Sequence, residues 1–162
     1  MRLTTRTNLA MRTLMYCAVL SERSARRREI ARACNASENH LAQVVRLLGQ
    51  HGFIKAVRGR NGGLRLARPA ETINVGSVVR VFEANLPFAE CFEGGENTCP
   101  LIACCWLRPA LKRAIEAFYQ TLDGITLDEL VSGNTELAAV LKAGGPGAQP
   151  PAPHRACVFA TQ

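Results

Sequence analysis

The stretch SENHLAQVVRLLGQHGFIKAVRGRNGGLRLA, residues 37–67, decides the fold. Ser37 is a strong helix N-cap, and Glu38 adds negative charge at the positive end of the helix dipole. At about 100° per residue, Leu41, Val44, Val45 and Leu48 fall on one side of the helix that follows. Asn39, Gln43, Arg46 and Gln50 fall on the other. Gly52 ends the helix. Two short strand-like runs come next, Phe53–Val57 and Leu64–Ala67, joined by Arg58-Gly59-Arg60-Asn61-Gly62-Gly63. Asn-Gly-Gly is a strong turn signal because such turns demand positive φ. Leu64 and Leu66 alternate with Arg65, which predicts one packed face and one cationic face.

Working outward, Met11, Leu14, Met15 and Ala18 recur at helical spacing behind Thr7 or Asn8, either of which can cap. A basic turn, Arg23 to Arg28, leads into a short helix over Glu29–Cys34. Asn35 follows, a residue that tolerates the left-handed backbone of a tight helix-ending turn. Helix, turn, helix and glycine-turned hairpin, in that order, make a winged helix-turn-helix. Downstream, Val75, Val78, Val79 and Phe82 stripe a further helix over Val75–Glu83. Leu86 to Cys105 reads as a loop. A long helix starts near Trp106 with Leu107, Leu111, Ile115, Phe118 and Leu122 as its apolar seam, and Thr126 with Glu129 forms a capping box for a short last helix. The fold class is therefore mainly α with a small β-hairpin wing. It divides into a winged helix-turn-helix at 1–83, a loop at 84–105, a long helix and a short one at 106–132, and a flexible tail at 133–162, whose Gly/Pro/Ala-rich part predicts disorder.

Charge is distributed unevenly. Residues 1–68 hold 14 of the 20 basic residues and three acids (Glu22, Glu29, Glu38), a net +11, which leaves −4 for the remainder of a chain at +7. A strongly basic half points to a polyanion. On the predicted second helix, Asn39 and Gln43 suit adenine and Arg46 suits guanine or phosphate. Ser37, Asn39, His40 and Gln43 lie near the helix N-terminus, the part that usually enters a major groove. Arg58, Arg60 and Asn61 at the hairpin tip suit a minor groove or phosphates. These residues predict a double-stranded DNA partner. The apolar run Leu14–Leu20 behind Arg2, Arg6 and Arg12 imitates a targeting signal. It is too short, runs straight into Ser21-Glu22-Arg23, and shows no convincing cleavage site. The reading is a first helix, no membrane span, and a reducing cytoplasmic setting.

Seven cysteines are many for 162 residues: Cys17, Cys34, Cys91, Cys99, Cys104, Cys105 and Cys157. An odd number, with four packed between positions 91 and 105, does not look like a disulfide framework. Cys91-x7-Cys99-x5-Cys105 lacks the Cys-x2-Cys spacing of a zinc ribbon or a thioredoxin-like motif. Wide spacing on a Gly-rich loop can wrap an iron–sulfur cluster. Spacing alone leaves zinc, a redox disulfide switch and structural thiols open. Cys17 and Cys34 sit in apolar helical contexts and are predicted to be buried. Cys157 falls in the tail. A thiol redox enzyme is a poor fit, since vicinal cysteines such as Cys104-Cys105 rarely form good disulfides and no nearby histidine or charge pair marks an activated thiolate. The chain is not expected to be an enzyme.

The start Met1-Arg2-Leu3-Thr4-Thr5, the wing from Val57 to Ala67 and the late three-cysteine loop together resemble the Rrf-type winged-helix repressors, most closely the nitric-oxide-sensing branch. The likeness covers about residues 1–132. It implies a homodimer built on the long helix near Trp106, a palindromic operator and nitric oxide as effector. It also implies an iron–sulfur cluster held by Cys91, Cys99 and Cys105, most often [4Fe-4S], with [2Fe-2S] the alternative. Cys105 rather than Cys104 fits, because the family separates its last two cysteines by five residues. The gap from Cys91 to Cys99 is longer than usual. Some relatives use a carboxylate near the N-terminus, from the partner subunit, as fourth ligand, and the matching residue here is Asn8, a neutral amide. Asn8, Cys104, water and a small molecule are the candidates for the fourth position. The cluster-assembly branch has a histidine shortly after its third cysteine, where this chain has Trp106, Leu107 and Arg108. A general redox-responsive regulator and a cofactor-free member are the alternatives.

Overall fold

The architecture is built around α1 (Thr5–Val19), whose Leu9, Ala10, Thr13, Leu14 and Cys17 are all buried. This is a computed structural model that describes residues 3–60, 62–83, 88–92 and 98–143. α1 begins about a turn earlier than the sequence predicts. Thr4, not Thr7 or Asn8, is the N-cap, and its hydroxyl accepts from the Thr7 N–H at 3.2 Å. Local propensity does not set this start: Thr7 is wholly buried, and its hydroxyl donates to Glu83, 76 residues away.

The helix-turn-helix follows as α2 (Arg27–Ala33) and α3 (Glu38–Gln50). Asn35 takes the predicted left-handed conformation, φ 49°, and the turn closes with the Ala36 N–H donating to the Ala31 carbonyl at 2.9 Å. Ser37 caps α3, its Oγ accepting from the His40 N–H at 3.2 Å. Leu41, Val44 and Leu48 are buried against α1 and α2, as the helical angles predict, while Val45 packs at the core margin. Gly52 at φ +69° turns the chain into the wing.

The wing is β1 (Ile54–Val57) paired antiparallel with β2 (Gly63–Leu66), Ile54 opposite Leu66 and Val57 opposite Gly63. The positive φ at its tip belongs to Gly59, at 108°. Gly62 and Gly63 are needed for a different reason, close approach. A Cβ on Gly62 would lie 2.5 Å from the Val57 carbonyl oxygen, and one on Gly63 would lie 2.6 Å from that of Ala25. Ala25 crosses the hairpin here, exchanging both backbone hydrogen bonds with Leu64 at 2.8 and 2.9 Å. The wing is thereby stitched to the segment that starts α2.

α4 (Val75–Glu83) buries Val75, Val78 and Val79 on the predicted stripe. α5 (Leu107–Asp123) packs beside it, and α6 (Leu127–Val131) begins at the predicted capping box, Thr126 with Glu129. Residues 73–75 and 125–127 pair briefly: the Val75 N–H donates to Ile125 and the Leu127 N–H to Ile73, at 2.9 and 2.8 Å. The flexible tail predicted from 133 does not begin there. Residues Thr135–Ala143 form α7, which touches α1 and α2 and buries Leu141. Residues 144–162, with Cys157, lie outside the described residues, as does Asn61. The core joins α1, Ile30 of α2, the buried face of α3, Phe53, Ile54 and Leu64 of the wing base, Ile73, Val78, Leu127 and Leu141. Each large aliphatic side chain buried there contributes about 1.5–3 kcal/mol relative to exposure.

Gly63→Ala is expected to destabilise the protein by about 1–3 kcal/mol, because the new methyl meets backbone rather than a yielding side chain. Urea unfolding measures it, and an unchanged midpoint would show that the Ala25–Gly63 approach can relax.

Candidate DNA-reading face and cysteine loop

Packing the apolar side of α3 fixes what the other side presents. Ser37, Asn39, Gln43 and Arg46 are exposed and His40 is half-buried. Ser37 is engaged as the cap but keeps its own O–H to donate. Gln43 already has a neighbour: Arg6 of α1 donates to its Oε1 at 3.4 Å, so a cation from the first helix stands on the same face. Arg6 sits in the first turn of α1, which carries no acid. A cation near a helix N-terminus opposes the dipole, and that misplacement is the one sequence signal that marks Arg6 for a role outside its own helix. At the wing tip Arg58 and Arg60 are exposed. Arg65, predicted on the cationic face, is not part of it. It is half-buried, its guanidinium donates to the Glu22 carbonyl, and its Nε has no partner among the described residues. Its work is to fasten the wing to the turn after α1. The Arg68 guanidinium lies 4.9 Å from the centre of the Phe53 ring, covering the wing base.

The cysteines divide by accessibility. Cys17 and Cys34 are buried core residues, as predicted. Burial, aided by the neighbouring Cys34 sulfur, pushes the Cys17 thiol up to about 12. Burial pushes Cys34 up to about 11, against the pull of Arg12. In the loop, Cys91 lies on a short 3-10 turn (Glu90–Phe92), and Cys91, Cys99 and Cys105 are half-exposed. Cys104 is exposed and its thiol donates to the Leu101 carbonyl at 3.7 Å. Ile102 N–H to Cys99 and Cys104 N–H to Leu101, at 3.3 and 3.0 Å, fold the segment into tight turns just before α5. None of the six described cysteines is in a disulfide. Four accessible thiols on one loop, Cys91, Cys99 and Cys105 among them, are the right donors in kind for an iron–sulfur cluster. Yet the described residues contain no group of three His, Cys, Asp or Glu side chains close enough to hold a metal ion. The donors fit; the loop does not present them preassembled.

Asn8 is exposed on α1. It lines a groove of about 710 Å³ with Thr4, Arg12, Ser37 and His40, and no loop cysteine lines that groove among the described residues. Within one chain, then, Asn8 stands beside the start of α3 and Cys34 rather than beside the described cysteines of the loop. α5 carries the predicted seam but buries none of it: Leu111, Ile115, Phe118 and Leu122 are half-exposed, Leu107 is 63% exposed and Trp106 is 89% exposed. Its C-terminal end is anchored on α4 by Arg80. That side chain pairs with both Asp123 oxygens, Nη2 to Oδ2 at 2.7 Å, and lies 4.4 Å from the centre of the Tyr119 ring.

A basic helix-turn-helix with a wing, followed by a thiol-bearing loop and a helix with an uncovered apolar stripe, defines a winged-helix DNA-binding regulator. The chain belongs to the Rrf2 family, described as iron-dependent transcriptional regulators, whose sequence profile matches residues 3–133. It is 47% identical to protein aau3 of Rhizobium meliloti, over 87% of this chain and 92% of that protein. It is 44% identical to the HTH-type transcriptional regulator NsrR of Geobacillus kaustophilus, over 88% of this chain and 97% of that one. Among solved structures, CymR, titled the global cysteine regulator of B. subtilis, matches with a TM-score of 0.65 at 27% identity, over 82% of this chain and 97% of CymR. The IscR of T. potens shares the fold, with a TM-score of 0.65 at 24% identity over 80% of this chain and 85% of that one. No described helix is long and apolar enough to cross a membrane.

The partition of the cysteines predicts a partition of reactivity. Alkylation of the folded protein is expected to label Cys91, Cys99, Cys104 and Cys105 and to spare Cys17 and Cys34 until unfolding, read by mass spectrometry. Both buried thiols hold their protons past the ordinary value of 9.0. The folded state therefore binds more protons than the unfolded one above that pH, and stability is fully present below it and falls as pH climbs toward 12. Cys17→Val is expected to flatten part of that alkaline decline; an identical slope would contradict the assignment.

Proposed function

We propose that this chain is a cytoplasmic, homodimeric repressor whose operator affinity is set by an iron–sulfur cluster that reacts with nitric oxide. The observation that carries this reading is the thiol partition: Cys91, Cys99 and Cys105 are accessible on one loop while the other described core cysteines are sealed. The likeness to NsrR supports it. Ser37, Asn39, His40, Gln43 and Arg46 read the major groove, and Arg58, Arg60 and Asn61 contact the minor groove or its phosphates. The uncovered seam of α5 meets the same seam of a second copy. That pairing sets two reading heads against a palindrome with half-sites about 34 Å apart, one turn of DNA.

Cys91, Cys99 and Cys105 would hold the cluster, [4Fe-4S] or alternatively [2Fe-2S], which supplies the affinity for nitric oxide when bound. Asn8 and Cys104 are the chain's own candidates for a fourth position, and neither offers a carboxylate. The chain's part is mechanical. The loop joins the end of α4 to the start of α5, so a change in how its thiols are held acts on both helices. A drop of about 3 kcal/mol in operator binding, over a hundredfold, lies at the upper end of ordinary allosteric coupling. A second reading is a thiol-based redox regulator without a cluster. It is favoured by the absence of a preassembled three-donor group among the described residues.

Anaerobic protein is expected to be brown, with iron and sulfide counts giving the nuclearity. It should bind target promoter DNA as a dimer, more tightly with the cluster intact than after nitric oxide or chelation. Equal affinity in all three states would refute cluster control, and colourless protein after attempted reconstitution would favour the redox reading. Separately, Arg58→Ala and Arg60→Ala are each expected to weaken binding similarly on all sequences and to lower the slope of log affinity against log salt by about 0.9. An unchanged slope would remove that residue from the phosphate contacts.

A further inference from the structure

Glu83 is the last residue of α4, at the point where the chain enters the cysteine loop. One carboxylate oxygen, Oε1, accepts three hydrogen bonds from the start of α1: from the Thr4 N–H at 2.9 Å, from the Thr4 hydroxyl at 3.1 Å and from the Thr7 hydroxyl. The Thr4 and Thr7 hydroxyl oxygens lie 2.8 Å apart, and because each hydroxyl has a single proton, a bond between them alternates with one of the two hydroxyl bonds to Glu83. Thr7 is wholly buried, so water does not compete for its side chain. The first turn of α1 carries no acid of its own, and Glu83 supplies from 76 residues away the negative charge a helix N-terminus favours. On that same turn Arg6 reaches Gln43 on the outward face of α3, and α1 packs along α3 behind it.

We propose that Glu83 is a positioning residue that couples the cysteine loop to the recognition helix, by clamping the first turn of α1 on which the seating of α3 depends. The inference rests on the proposed role of the loop in sensing. A shift of the loop pulls on the residue that begins it. That residue is fixed to the first turn of α1, which carries both a buried threonine clamp and a side chain touching the reading face. Releasing Oε1 leaves Thr7 without its carboxylate partner in a dry site, a loss that the turn meets by moving. Arg6 and the N-terminal half of α3 move with it.

The test compares operator affinity of cluster-loaded and chelator-stripped full-length protein for wild type, Glu83→Gln and Thr7→Val. Glu71→Gln is the control for loss of a carboxylate outside the clamp. Wild type is expected to show a loaded-to-stripped ratio above about a hundredfold, and each clamp variant a ratio below about tenfold. The double variant is expected to add little, since both changes break the same bond. A structural cap alone would lower Tm and leave the ratio intact. Amide hydrogen exchange on stripped protein gives a readout independent of the cluster. Faster exchange is expected at both the first turn of α1 and the start of α3, and acceleration confined to α1 would overturn the proposal. Should Glu83→Gln fail to fold, Thr7→Val carries the test. A wild-type ratio near one would sink the sensing reading and the clamp with it. A large wild-type ratio unchanged in the variants would sink the clamp alone.

Discussion

The burial of α1 is the constraint from which the rest follows. It touches α3, the wing through β2, α4, α6 and α7. Its Ala10 and Leu14 have no exposed surface, and neither does Thr13, whose hydroxyl donates back to the Leu9 carbonyl at 2.7 Å rather than going unpaired. A helix packed on so many sides cannot tilt for one neighbour without being felt by the others, because close-packed interiors pass strain on instead of absorbing it. The reading face, the wing and the helix that enters the cysteine loop are thus three attachments to one rod. The position of α3 is a property of α1, not of α3 alone.

The reading head was legible in the sequence because its physics is local. A capping serine, an angular split of Leu41, Val44 and Leu48 from Asn39, Gln43 and Arg46, and a left-handed Asn35 are all fixed by residues within a few positions of one another. The same holds for α4 and the Thr126 capping box. What escaped is what depends on distant partners. The start of α1 belongs to Thr4 because Glu83 waits there, and no window around Thr4 contains that information. Arg65 looked like part of a cationic face by alternation, but Glu22 and the Ala25 crossing draw it inward. The tip glycines were rightly taken as a turn for a reason only partly right: Gly59 needs the positive φ, while Gly62 and Gly63 need the missing Cβ. α7 lies in a stretch taken for tail. Its weak amphipathic pattern is rescued by the contact of Leu141 with the core.

For the candidate site the same division applies in sharper form. Composition and spacing mark the four cysteines between positions 91 and 105, the family resemblance picks out Cys91, Cys99 and Cys105 among them, and accessibility separates all four from Cys17 and Cys34. Whether three thiols converge depends on loop closure, and closure of a Gly-rich loop is governed by what it closes around. A preorganised trio of thiolates would carry strong mutual repulsion with no cation present. Separated donors on tight turns avoid that cost. Among the described residues no three such side chains converge, and at sites where metal brings separated donors together, binding and local folding are one event.

Apolar surface lies uncovered where the cysteine loop passes into α5. Trp106 at 89% exposure and Leu107 at 63% begin α5 directly after Cys105, and Leu101 at 60% lies between the cysteines. Isolated exposed residues of this kind need no explanation, but here they run together from the loop into the unburied seam of the longest helix. If that seam closes on a second copy, the residue next to the third thiol sits at the edge of the interface. The loop then adjoins the two surfaces that a regulator must connect, the contact between subunits and, through Glu83 and α1, the face presented to DNA.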